Sequence, residues 1–233
     1  MQLRFPDPDY AASRRAQTSF TLAIKLTAAF VALLWLIHAF QVVTGLSLVG
    51  FGLRPRELSG LSGLLFTPLL HGNLEHLISN SMPLFIGGVA ILFLYPNSSL
   101  RVLPLLYVGT SALAWTFARP SIHIGASGLV YGMLTYVFVA GVLRRDVRSV
   151  GVSLMVWFLY GSMVWGVFPL APRMSWELHA TGLMLGLVLA WAYRGWDRPP
   201  LKTYEWEDED EEEQDFEPSD DEDDEPWRSQ RRH

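Results

Sequence analysis

The chain of 233 residues contains no cysteine, which excludes disulfide staples and thiol nucleophiles. Acidic side chains are scarce in its first 204 residues. Only Asp7, Asp9, Glu57, Glu75, Asp146, Glu177 and Asp197 occur there, beside fifteen lysines and arginines. No H-E-x-x-H is present, and His71 and His76 are five residues apart, a poor spacing for two ligands on one helical face. Neither a metal nor any other cofactor is therefore expected. No internal repeat is evident, so a stack of similar units is not expected either.

Hydrophobic residues make up half of the chain, and its mean hydropathy is positive, at +0.22. The formal charge of −5 averages two unlike parts: residues 1–204 carry net +8, and the remainder net −13. Sixteen acids fall between Glu205 and Glu225. Such asymmetry reads as a basic membrane body with a solvated acidic extension, too poor in aliphatics to bury a core. Trp206, Phe216 and Trp227 within the extension offer contacts to a cytoplasmic partner. The bilayer is an expected partner, and nucleic acid is not. Three parts follow: an N-terminal segment 1–19, a membrane domain 20–195 and an acidic, disordered tail 196–233.

Six apolar runs have the length of membrane spans: Phe20–Leu48, Leu69–Tyr95, Leu100–Phe117, Ser127–Leu143, Val150–Leu170 and Trp176–Tyr193. The first is too long for a cleavable signal and has no small-residue cleavage site after it. An all-α, polytopic six-helix bundle is the predicted fold. With the N-terminus placed in the cytoplasm, eleven Lys and Arg residues near the spans lie inside and four outside. The positive-inside rule then puts both termini in the cytoplasm.

In that orientation spans two, four and six all begin at the outer face, and their first turns hold the awkward polar residues. These are "HGNLEHLISN", "GASG" and "ELHATG". Counting up from each inner edge at about 1.5 Å per residue puts Ser127 near 24 Å, Asn80 near 22 Å and His179 near 21 Å. His76 is one turn above Asn80. All four sit somewhat below the outer surface of a core about 30 Å thick. Polar groups at such depth are functional candidates.

The residue types sort by chemistry. A serine hydroxyl needs a base to take its proton, which nominates Ser127 with His179. An attacked carbonyl develops an oxyanion, and His76 and Asn80, four apart on one face, can both donate to it, as can the Ser127 backbone N–H. No carboxylate is placed to orient His179, so a dyad is expected rather than a triad. Gly125 eases the turn before Ser127. Gly128 with Gly132, and Gly182 with Gly186, form small-xxx-small pairs that admit close helix packing. His71 and His123 are expected at the water-facing mouth, with Ser79, and His38 in a structural hydrogen bond.

Residues 50–195 resemble the rhomboid family of intramembrane serine proteases, through "GASG" with Tyr131, "HATGLMLG" and "HGNLEHLISN", three blocks in the expected order along the chain. The resemblance implies Ser127 as nucleophile, His179 as base and His76 and Asn80 on the oxyanion side. It matches His71 to the first histidine of its block, and Tyr131 to the aromatic residue that packs near the base. The loop "FPLAPRMSW" would be a cap, with Phe168 and Met174 as plugs. One departure is the loop "FGLRPRELSGLSG", which lacks the Trp-Arg pair of many bacterial members. The implied activity is cleavage of transmembrane segments of other proteins at a bacterial inner membrane, the site opening to the outer side. A catalytically silent relative that binds membrane helices, and a small transporter, are the alternatives.

Overall fold

The computed structural model describes residues 13–171 and 174–197; residues 1–12, Pro172 and Arg173 of the cap loop, and the tail from 198 onward lie outside the described residues. Six long helices form the bundle: α1 Arg14–Thr44, α2 Leu74–Leu94, α3 Pro96–Phe117, α4 Ser127–Arg144, α5 Val147–Tyr160 and α6 Trp176–Ala192. Among the described residues there is no strand, only an isolated antiparallel bridge between Leu53 and His123.

The chain is an integral membrane protein. Helices α1 to α4 are each long and apolar enough to span a bilayer, as is the stretch from α5 to Val167. The 17 residues of α6 reach about 26 Å, at the short end of what a span requires. Large side chains such as Leu36, Val43 and Phe158 are exposed on the outside of the bundle, as a lipid-facing surface demands.

Helix ends differ from the apolar runs because capping, rather than hydrophobicity, sets them. α1 starts six residues before Phe20, where the Ser13 hydroxyl accepts from the Ala16 N–H at 3.2 Å, and it stops where Gly45 turns left-handed (φ 71°). α3 starts at Pro96 rather than Leu100, since proline suits a helix's first position. The fifth run divides: α5 is capped by Asp146, then gives way at Gly161 to a 3₁₀ stretch, Gly161–Val167. That tighter stretch supplies two carbonyls to the site described below.

α4 is the central helix. It packs against α2, α3, α5 and α6, whereas α1 joins the bundle mainly through α2. Burial agrees: 12 of the 18 residues of α4 are buried, against 3 of 31 in α1 and 3 of 14 in α5. The main core is apolar, with Leu84, Ile91, Leu106, Val130 and Leu189 among its buried members.

Away from the site, the other end is tied by charge. Arg144 and Asp146 pair at 2.8 Å, both nearly buried, with the guanidinium over the Tyr95 ring. Asp197 reaches back from beyond α6 to the start of α3, where it accepts from the Asn97 N–H (2.8 Å), the Ser98 N–H (3.1 Å) and the Ser98 hydroxyl (2.6 Å). Trp196 lies under the Arg101 guanidinium at 4.4 Å. Trp196 and Asp197 thus pack against the start of α3. Replacing Asp197 by alanine removes a helix cap, so a loss of about 1–2 kcal/mol is expected. A lower melting temperature with unchanged activity below it would register that loss.

Candidate active site

The site is built where α4 and α6 touch. A Cβ on Gly182 would lie 2.0 Å from the Gly128 carbonyl oxygen, and one on Gly186 would lie 2.5 Å from the Gly132 oxygen. Gly128 faces the Leu178 carbonyl, and Gly132 faces that of Gly182. The two glycine pairs therefore interlock into one seam, with backbone against backbone.

At the top of this seam the Ser127 Oγ is 2.8 Å from His179 Nε2. Ser127 is 9% exposed and His179 7%, so the pair is largely shielded but still reachable. His179 Nδ1 is 2.8 Å from the Gly166 carbonyl oxygen. A carbonyl only accepts, so Nδ1 carries the proton and donates it. Nε2 is left with a lone pair directed at the Ser127 O–H. The Tyr131 ring stacks on the imidazole at 4.2 Å and 6°, and its hydroxyl donates to the Met163 carbonyl at 2.7 Å. Both carbonyls come from the 3₁₀ stretch. A side chain at Gly166 would meet the Tyr131 hydroxyl at 2.0 Å.

The turn before Ser127 depends on Gly125, whose φ of 115° other residues rarely adopt. Its bare α-carbon also makes room for the His76 imidazole, which a Cβ there would approach to 2.5 Å. Among the described residues no side chain caps α4, whose first N–H groups, like those of any helix, have no intrahelical acceptor. On α2, the His76 N–H is held by the Asn73 cap at 2.8 Å. The Asn80 amide, buried, donates one hydrogen to the His76 carbonyl at 3.0 Å and keeps its second. Ser127, His179, His76, Tyr131 and Gly125 thus form one continuous group, with Asn80 tied to it through His76.

Two histidines differ from expectation. His71 is 2% exposed, packs edge-on against His76 at 5.1 Å, and receives the Ala126 N–H at 3.5 Å. His123 is fully buried. Its backbone pairs with Leu53 in both directions at 2.9 Å, and its Nδ1 is 3.0 Å from the Ser175 hydroxyl. Neither lines a mouth, and of the three residues expected there only Ser79 is exposed. His38 Nδ1 is buried without a hydrogen-bond partner among the described residues, where a structural hydrogen bond was expected.

Two features are not evident from the sequence. The Gly166 carbonyl fills the place of an orienting carboxylate, and backbone oxygens carry no sequence signal. Glu177, whose spacing sets it apart from His179, is buried beside Arg119 at 3.5 Å. The signal for it is an acid in the first turn of an apolar helix, which requires a partner.

A family model for the Rhomboid domain matches residues 58–196. An uncharacterized protein of Mycobacterium tuberculosis is 32% identical over 171 residues, 70% of this chain and 71% of its own. An uncharacterized protein of Mycobacterium leprae is 31% identical over 195 residues, 75% and 77% of the two chains.

Proposed function

The chain belongs to the rhomboid family, and on that footing we propose that it is an intramembrane serine endopeptidase acting on the transmembrane segments of other proteins. One observation carries the reading. The Ser127 hydroxyl and His179 share a 2.8 Å hydrogen bond while the far nitrogen is held by a carbonyl, which leaves the imidazole in the tautomer a general base needs.

In the proposed reaction His179 takes the Ser127 proton as Oγ attacks a peptide carbonyl. The oxyanion is received by the Ser127 N–H with His76 and Asn80. His179 then gives its proton to the leaving amine, and water attacks the acyl-enzyme by the same route. A substrate helix hides its carbonyls in its own hydrogen bonds, so it must unwind locally at the cut. Helix-weakening sequences with a small residue at the cleavage point are the expected preference. We place both termini on the cytoplasmic side of a bacterial inner membrane and the site towards the outside, supported by the arginines at the opposite end of the bundle.

The purified protein in liposomes should cut members of a panel of single-span substrates, and a fluorophosphonate should label it. Ser127→Ala should do neither. A wild type that binds these helices without cutting them would support the silent relative instead. Cutting that persists in Ser127→Ala would remove the serine mechanism.

A further inference from the structure

We infer that Arg119 and Glu177 are positioning residues for the Ser127–His179 pair, an inference that rests on the protease reading above. Glu177 lies in the first turn of α6, two residues before His179, and is 2% exposed. Its Oε1 is 3.5 Å from Arg119 Nε and accepts the Arg119 backbone N–H at 3.4 Å. The same guanidinium, through Nη2, donates to the Met174 carbonyl just ahead of the helix. His123, four residues after Arg119, adds its contact to the Ser175 hydroxyl.

Arg119 and His123 sit on the loop that leads from α3 into Ser127, while Met174, Ser175 and Glu177 lead into His179. The approach to the nucleophile and the approach to the base are therefore clamped to each other. The glycine seam below sets how closely the two helices approach. The clamp adds a second tie on the side of α6 that carries Glu177, and so fixes the orientation of its first turn at the level of the chemistry.

An ion pair suits the task. Guanidinium presents several donors in a fixed plane, so one side chain can hold a carboxylate and a carbonyl at once. A buried carboxylate in turn tolerates few geometries in which it is paired. Glu177 itself does not touch His179 Nδ1, which the Gly166 carbonyl occupies. It acts through the fold of the turn.

Glu177→Gln keeps the side chain's shape and removes its charge. Rates are measured per active site, titrated with a fluorophosphonate, on the full-length protein in liposomes. The expected result is a kcat lower by about 10- to 100-fold, since a displacement of about 1 Å at a reacting centre is that costly. KM for a transmembrane substrate should stay within about twofold, because substrate binding is not what the clamp serves. Arg119→Lys, which keeps a charge opposite Glu177 but loses the planar fork, should fall between. If the Glu177→Gln variant shows fewer active sites or a lower melting temperature, yet a wild-type kcat per site, the inference is overturned. If Glu177→Gln does not accumulate, Arg119→Lys with Ser175→Ala carries the test, and wild-type kcat in both overturns it. A wild type that neither labels nor cuts sinks the protease reading itself, and this inference with it.

Discussion

Replacing His179 by alanine is expected to lower kcat by roughly 10⁴- to 10⁶-fold, and replacing Ser127 as well is expected to add almost nothing. The reason is the single hydrogen bond between them. At 2.8 Å, the Ser127 O–H has its acceptor in Nε2, and without that acceptor the hydroxyl is a weak nucleophile at neutral pH. Without the hydroxyl, the imidazole has no proton to receive. Each residue is useless for this step without the other, so the two losses overlap instead of adding. KM should barely move, because neither side chain binds the remote parts of a substrate helix. Measuring kcat and KM for both single variants and the double variant closes the cycle. Losses that multiply would mean that the two residues work independently, which the proposed dyad does not allow.

The parts of the site that were legible in the sequence are those whose chemistry resides in side-chain type. Ser127, His179, His76 and Asn80 stand out because polar groups are rare in apolar runs, and helical spacing places them at one level. The glycine seam was legible for a related reason, since four-residue spacing puts Gly128 and Gly132 on one face of α4. What depends on backbone was hidden. Any residue has a carbonyl, so nothing in "YGSMVWGVF" singles out Gly166 as the partner of His179 Nδ1, or Met163 as the partner of Tyr131. Both follow from the change of α5 into a 3₁₀ stretch, which hydropathy does not register. The burial of His71 and His123 is not legible, because a histidine in a loop has two satisfactory fates, water or buried partners. Only the packing of residues 53–67 against the turn at Gly125 decides between them, as in the Leu53–His123 bridge and the Thr67 carbonyl that accepts the Gly125 N–H at 2.9 Å.

Gly182→Ala is the change expected to damage fold and activity together. The added methyl carbon would sit 2.0 Å from the Gly128 carbonyl oxygen and 3.1 Å from the Gly132 nitrogen. These are backbone atoms of the central helix, so no side chain can swing aside to make room. Relief requires α6 to move away from α4 by about 1 Å or to slide along it, and overpacking of this kind costs about 1–3 kcal/mol. The same movement stretches the hydrogen bond between Ser127 and His179, one turn from the point of collision. A displacement of that size at the reacting atoms costs on the order of 100-fold in rate. Gly151→Ala is the control: its Cβ would meet nothing within 4 Å among the described residues, so stability and rate should both stay near wild type. Thermal unfolding in detergent and cleavage per titrated active site separate the two consequences. If Gly182→Ala unfolds at a lower temperature but keeps its rate, the seam holds the bundle without setting the distance between base and nucleophile. If it changes neither, the close approach of the two helices is not what builds the site.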